Sequence, residues 1–195
     1  MDTTKKNRCN WPKDDDLYIE YHDREWGVPV YDDDKIFEFL LLETFQAGLS
    51  WITILRKREN FRKAFSNFDY NKISNYSDAE LEELRLNPTI IRNKLKIESA
   101  RTNAISFLKV KEEFITFSQY IWNFVNKKQI QNNFSIHDKL PSSTNLSKKI
   151  SADLKKRGFK FVGPTIVYSY MQAMGIVNDH NTKCFRHKEL LILNT

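Results

Sequence analysis

Apolar residues along this chain recur at three- and four-residue intervals rather than at alternate positions, and that spacing predicts helices. Asp32, Asp33 and Asp34 can cap and charge the start of a helix running through Leu41, with Gly48 just past its end. Ser50 can cap a second helix from Trp51 to about Arg58, and a third is expected from Asn60 to Phe65. Ser77 and Glu80 are spaced as a capping box opening a helix to Leu86. After Pro88, the positions Ile90, Ile91, Leu95, Ile97, Ala100, Ala104, Ile105 and Leu108 mark a long amphipathic helix. A further helix is expected over Phe114 to Val125, then a polar surface connection through Pro141. Ser143 or Ser147 begins a basic helix ending at Gly158, and Gly163-Pro164-Thr165 starts another that stops near Gly175. No period-2 run of β-branched residues exceeds a few positions. The predicted fold class is all-α.

Length and composition narrow the picture. A chain of 195 residues suggests one domain and can bury about 70% of its unfolded surface, so its core needs no staple. With 41% apolar, 29% charged and 13% aromatic residues, it reads as an ordinary globular protein and not a disordered one. A formal net charge of +6 permits an acidic partner without demanding one. The longest apolar run, Ile36 to Leu42, is interrupted by Glu38 and too short to cross a bilayer. The N-terminal stretch lacks the apolar segment of a secretory signal. A cytoplasmic protein with no membrane partner is expected.

Three groups of residues could carry chemistry. Both cysteines, Cys9 and Cys184, have a histidine nearby in sequence, His22 and His180. Two Cys and two His would make a closed, tetrahedral structural zinc site joining the two ends of the chain. The spacing matches no compact finger, so a zinc site and two unrelated buried thiols beside two surface histidines both stay open. The second group is the stretch from Leu154 to Thr165. There Gly158 can end a helix, Phe159, Phe161 and Val162 can anchor a hairpin, and the amides near Gly163 with Lys160 can bind one phosphate. Taken alone, that segment fits an ordinary helix end and tight turn better. The third group is aromatic. Tyr18, Tyr21 and His22 share a helix face, with Glu25 and Trp26 one turn on, and Glu43 shares a stripe with Ile36 and Leu40. A carboxylate on an apolar stripe is paired or functional, because an unpaired buried charge is expensive. Each aromatic taken singly fits a core position as well as a pocket for a flat or cationic ligand.

Together these residues carry a family resemblance. DLYIEYHDREWGVP, LETFQAGLSWITILRKRENFR, KKRGFKFVGPTIVYSYMQAMGIVNDH and the Cys9-Asn10-Trp11 start resemble, in order, the motifs of the bacterial DNA-3-methyladenine glycosylase I family. The resemblance runs from about Cys9 to Cys184, departing at Pro164 and Val167 and leaving the tail from His187 to Thr195 unassigned. It implies an all-helical helix-hairpin-helix glycosylase, with the hairpin module at about residues 152–175. It also implies hydrolytic release of 3-methyladenine from alkylated double-stranded DNA, without strand cleavage, by a monomer. By position, Cys9, His22, His180 and Cys184 resemble ligands of one structural zinc ion. Glu43 resembles the carboxylate that recognises the base, and Trp11, Tyr18, Tyr21, Trp51 and Ser169 its surroundings. Gln46, Gly48 and Leu49 resemble the loop facing the gap left by a flipped nucleotide, with Lys160 and Gly163 on the DNA backbone.

The chemistry suits those residues. An adenine methylated at N3 is cationic and leaves as a neutral base, so its glycosidic bond is already weak. Unstacking the nucleotide costs a few kcal/mol, which pocket contacts offset. Many helix-hairpin-helix glycosylases carry a catalytic Asp at about the position of Asp179, yet Asp179 adjoins His180, which suggests a structural role behind that ligand. A non-enzymatic damage-binding module and a binder of free nucleobases are the rival readings. A buried Glu43 speaks against the first, and the basic hairpin against the second.

Overall fold

The computed structural model describes residues 6–193. The first five residues of the N-terminal stretch and Asn194 and Thr195 of the unassigned tail lie outside the described residues. The chain is mostly helical, as predicted, with one small addition: Ile130–Gln131 (β1) pairs in parallel with Val177–Asn178 (β2).

Helix α1, Asp16–Arg24, is capped by Asp15, whose carboxylate accepts from the Tyr18 amide. Helix α2, Asp33–Gln46, is the centre of the fold, and every residue from Ile36 to Phe45 is buried. It therefore runs past the expected end at Leu41, and Glu43 is inside the helix. Helix α3 spans Trp51–Ala64 without interruption, where two helices were expected. Neither Glu59 nor Asn60 breaks it, because Ile54, Leu55, Arg58 and Phe61 continue one buried stripe at helical spacing. Arg58 lies between Glu25 and Glu38, with Nη1–Oε1 2.8 Å and Nε–Oε1 2.6 Å, and so fastens the end of α1 to α2 and α3.

A tight turn and the short α4, Tyr70–Ile73, lead to α5, Asp78–Leu86, which opens with the predicted capping box. Helix α6, Lys94–Phe114, starts later than its apolar pattern implied, because Asn93 caps it by accepting from the Lys96 amide. The next helix, α7, covers only Phe117–Asn123. Ile115 is forced into a left-handed conformation (φ 69°) and Thr116 caps the restart, so the expected start at Phe114 belongs to α6. Helix α8, Asn145–Lys156, is capped by Thr144, with Ser147 completing the box as its fourth member and not as the cap. Helices α9, Pro164–Ala173, and α10, Phe185–Leu193, complete the chain.

Helix α2 packs against α3, α6, α7 and α9. The N- and C-terminal thirds meet beside it. The Gly27 amide donates to the Gln172 carbonyl (2.9 Å) and the Val30 amide to the Met174 carbonyl (3.0 Å). At Gly175 (φ +67°) a Cβ would collide with the carbonyl group of Val28, so only glycine permits this approach. Among the described residues no helix is long and apolar enough to cross a membrane.

Candidate functional site: an aromatic cavity beside a Cys/His cluster

Helices α1, α2, α3 and α9 converge on a cavity of about 250 Å³. It is lined by Trp11, Tyr18, Tyr21, Trp26, Glu43, Gln46, Trp51, Leu140, Ser169 and Gln172. Six of these, Trp11, Tyr18, Tyr21, Glu43, Trp51 and Ser169, were singled out from sequence as pocket residues, and Gln46 from the adjoining loop. Trp26 was noted only as a neighbour on the aromatic face. Leu140 was missed because it reaches the cavity through long-range packing that no local spacing announces, and Gln172 was missed although it lies one helical turn beyond Ser169 on α9. Leu140 sits in the connection expected to run over the surface, and it borders the cavity from there.

The walls are packed rings, edge to face at Trp11–Tyr18 and tilted at Tyr21–Trp51. Trp11 meets Tyr18 with centroids 4.6 Å apart, and Tyr21 meets Trp51 at 5.3 Å. Three buried polar atoms in these walls have no hydrogen-bond partner among the described residues: Trp11 Nε1, Trp51 Nε1 and Glu43 Oε2. Buried polar groups are nearly always satisfied, so two orphan donors and an orphan acceptor around one cavity point to a ligand that supplies their partners. Glu43 is only 3% exposed, and burial alone pushes its carboxyl up to about 8. With the cavity empty at neutral pH it is mostly protonated; a cation in the cavity would reverse that.

Beside Glu43 the chain turns sharply. The Leu49 amide donates to the Gln46 carbonyl (2.7 Å), the Gln46 side chain donates to the Leu49 carbonyl (2.8 Å), and Gly48 adopts φ +80°. Gly48 and Leu49 are exposed at the tip of this turn. The buried Lys96 of α6 supports it from behind, donating from Nζ to the carbonyls of Phe45 (2.8 Å) and Ala47 (2.6 Å). This is a C-terminal helix cap supplied in space by a residue fifty positions away, so α2 needs no basic residue in its own last turn.

The turn between α8 and α9 lies apart from the cavity. Asn103 of α6 grips the Lys160 backbone from both sides, accepting from its amide (2.7 Å) and donating to its carbonyl (3.2 Å). The Lys160 side chain is left exposed, and the Gly163 amide has no partner among the described residues.

Behind the aromatic wall, Cys9, His22, His180 and Cys184 bring four ligand atoms within 4.8 Å of one another. Cys184 Sγ lies 3.5 Å from both His22 Nε2 and His180 Nδ1, and Cys9 Sγ lies 3.7 Å from His180 Nδ1. Zinc bonds of ~2.0–2.3 Å would set the corners of a tetrahedron ~3.3–3.8 Å apart, so the donor set fits such an ion. Each imidazole is oriented through its other nitrogen. His22 Nδ1 donates to Asp23 (2.7 Å), which Arg8 holds in turn, and His180 Nε2 donates to the Trp26 carbonyl (2.9 Å). Contact with Cys9 and with the two imidazoles holds Cys184 far below the usual thiol range, while contact with Cys184 and burial push Cys9 up.

Asp179 does not line the cavity. It is buried between Tyr168, Gln172 and Asn132, all three of which donate to its carboxylate.

A family model described as methyladenine glycosylase matches residues 11–187. The chain is 46% identical over 177 residues to DNA-3-methyladenine glycosylase 1 of Escherichia coli (strain K12), covering 91% of this chain and 95% of that protein. It is similar to a crystal structure of 3-methyladenine DNA glycosylase I, with TM-score 0.89 and 47% identity, covering 92% of this chain and 98% of the other. A variant of 3-methyladenine DNA glycosylase I in complex with 3-methyladenine superposes as well, with TM-score 0.89 at 33% identity, over 92% of this chain and 96% of its own.

Proposed function

The chain belongs to the methyladenine glycosylase family, and on that premise we propose that it excises 3-methyladenine from alkylated double-stranded DNA. The observation that carries the reading is Glu43 Oε2, a buried, unpartnered carboxyl oxygen in an aromatic cavity sized for one base. An N3-methylated adenine brings what that cavity lacks. Its positive charge favours ionised Glu43 and the electron-rich ring faces, and its exocyclic amine donates a hydrogen bond to the carboxylate. Guanine carries an oxygen at the equivalent position, which an ionised Glu43 repels. As the glycosidic bond breaks, the bonding electrons neutralise the charged base, and water adds at C1′ and gives up a proton to solvent, leaving an abasic site. The target nucleotide must leave the stack to enter the cavity.

Helices α8 and α9 with the turn between them act in this reading as a helix-hairpin-helix module. The exposed Lys160 and the free Gly163 amide support a contact to the DNA backbone, and Gln46, Gly48 and Leu49 support a turn that faces the vacated stack. Lys160 has no position near Glu43 in the cavity lining, which supports simple hydrolysis over lyase chemistry. Cys9, His22, His180 and Cys184 would hold zinc. Four protein ligands leave no open position, so the ion would cross-link the two ends of the fold and take no part in the reaction. One chain supplies the whole cavity, which supports a single-domain monomer. The test is release of free base from a duplex carrying one 3-methyladenine, measured by chromatography. No release by the metal-loaded protein sinks the proposal.

A further inference from the structure

Asp179 and Gln172 form a pair that the reaction as derived above leaves unused. Asp179 follows β2 and is 2% exposed. Tyr168 Oη (2.6 Å), Asn132 Nδ2 (2.6 Å) and Gln172 Nε2 (2.7 Å) all donate to it. Two of those donors do not reach the cavity, but Gln172 does, one helical turn beyond Ser169 on α9. A carboxylate only accepts, so Asp179 dictates which end of the Gln172 amide turns toward it. The amide nitrogen is taken. Oε1 has no partner among the described residues. The Gln172 backbone is fixed as well, because its carbonyl accepts from the Gly27 amide (2.9 Å).

We infer that Gln172 is a second polar contact to the base, offering Oε1 as an acceptor, and that Asp179 is the positioning residue that holds it in that sense. This rests on the base-excision reading and deepens it. An exocyclic amine carries two hydrogens. Glu43 takes one and Gln172 the other, so the cavity presents acceptors only to the edge that separates adenine from guanine. A guanine oxygen there meets two acceptors and finds no donor. Were the Gln172 amide free to rotate, its NH2 would offer that oxygen a hydrogen bond and discrimination would fall.

A double-mutant cycle in the full-length, metal-loaded protein tests this. Binding of free 3-methyladenine and of free 3-methylguanine is followed by tryptophan fluorescence, with melting temperature and metal content read in parallel. Gln172→Met should weaken 3-methyladenine binding about tenfold, the loss of one hydrogen bond, with duplex affinity unchanged. Asp179→Asn, which can donate as well as accept, should narrow the preference over 3-methylguanine by a similar factor. In the Gln172→Met background, Asp179→Asn should lower the melting temperature further and leave base binding within twofold. A purely structural Asp179 would instead weaken binding equally in both backgrounds, which overturns the inference. Wild-type binding by Gln172→Met overturns it too, and needs no folded Asp179 variant. If wild type binds and releases 3-methyladenine while Gln172→Met is unaffected, this inference alone fails. If wild type does neither, the base-excision reading falls and this falls with it.

Discussion

The indole of Trp11 packs edge-on against the imidazole of His22, ring centroids 5.3 Å apart, so one ring faces the base cavity and its neighbour faces the Cys/His cluster. Trp26 repeats the relationship. It lines the cavity, and its carbonyl accepts from His180. The Cys/His cluster and the aromatic wall are therefore one packed unit.

Metal removal should accordingly loosen the cavity as well as the chain ends. Cys184→Ala leaves three ligands and should cost several kcal/mol, which at about 2–4 °C per kcal/mol lowers the melting temperature by roughly 10 °C. The same variant should bind free 3-methyladenine more weakly, and by reciprocity the base should tighten metal binding, read as a higher metal affinity at equilibrium against a competing chelator. Elemental analysis finding no metal in the purified wild type would end the zinc assignment. Equal metal affinities with and without base would uncouple the two sites.

Lys160 stands away from the cavity with its backbone held by Asn103 and its side chain free in solvent. Phosphate contacts carry little sequence information. Lys160→Ala should therefore weaken binding to methylated and unmethylated duplexes alike, and lower the salt slope of log K by about one. Binding titrations across a range of salt concentrations measure it. An unchanged slope would remove Lys160 from the interface.

How much of this was legible in the sequence depends on the range of the interaction. The Ser77–Glu80 box and the shared face of Tyr18, Tyr21 and His22 are local, and simple spacing exposes them. The continuity of α3 was missed because a polar Glu59-Asn60 pair looks like a boundary until Arg58 is seen to point inward at two carboxylates. Ile115 was missed because a β-branched residue with positive φ has no sequence signature. The β1–β2 pair joins residues forty-seven apart, and neither two-residue strand announces itself. Glu43 was visible as a carboxylate on an apolar stripe. Gln172, Leu140 and Lys96 were not, because their importance lies in what they meet across the fold.

Lys96 illustrates the cost of such a hidden contact. Its ammonium gives two charge-assisted hydrogen bonds to the end of α2, where the turn bearing Gln46 begins. Burial lowers its pKa, so part of their strength offsets the loss of hydration. Lys96→Met should cost about 1–3 kcal/mol. The effect should concentrate in faster amide exchange over residues 45–49, with activity falling more than duplex affinity. Exchange rates unchanged in that turn would show that Lys96 does not hold it.

Glu43 connects stability, protonation and activity. Its carboxyl titrates at about 8 in the folded protein and near 4.5 ordinarily, so the folded state binds the extra proton between those values. Stability associated with Glu43 is thus fully present below about pH 4.5 and is lost as pH rises through about 8. Glu43→Gln carries no such proton. Relative to wild type it should gain on the order of a few kcal/mol between pH 5 and pH 8.5, read from urea unfolding across that range. Activity should move the other way. The amide keeps the shape but loses the charge that pairs with the cationic base, a loss of ~1.5–3 kcal/mol, or about tenfold to a hundredfold in single-turnover release. Duplex affinity should hardly change if, as proposed, the backbone contacts are made by the turn between α8 and α9. Wild-type protein should also release a proton when methylated DNA binds at pH 7, since the incoming cation favours the ionised form; calorimetry in buffers of different ionisation enthalpy measures it. Parallel stability curves for the two proteins, or wild-type release by Glu43→Gln, would show that Glu43 is neither the strained nor the working group of this cavity.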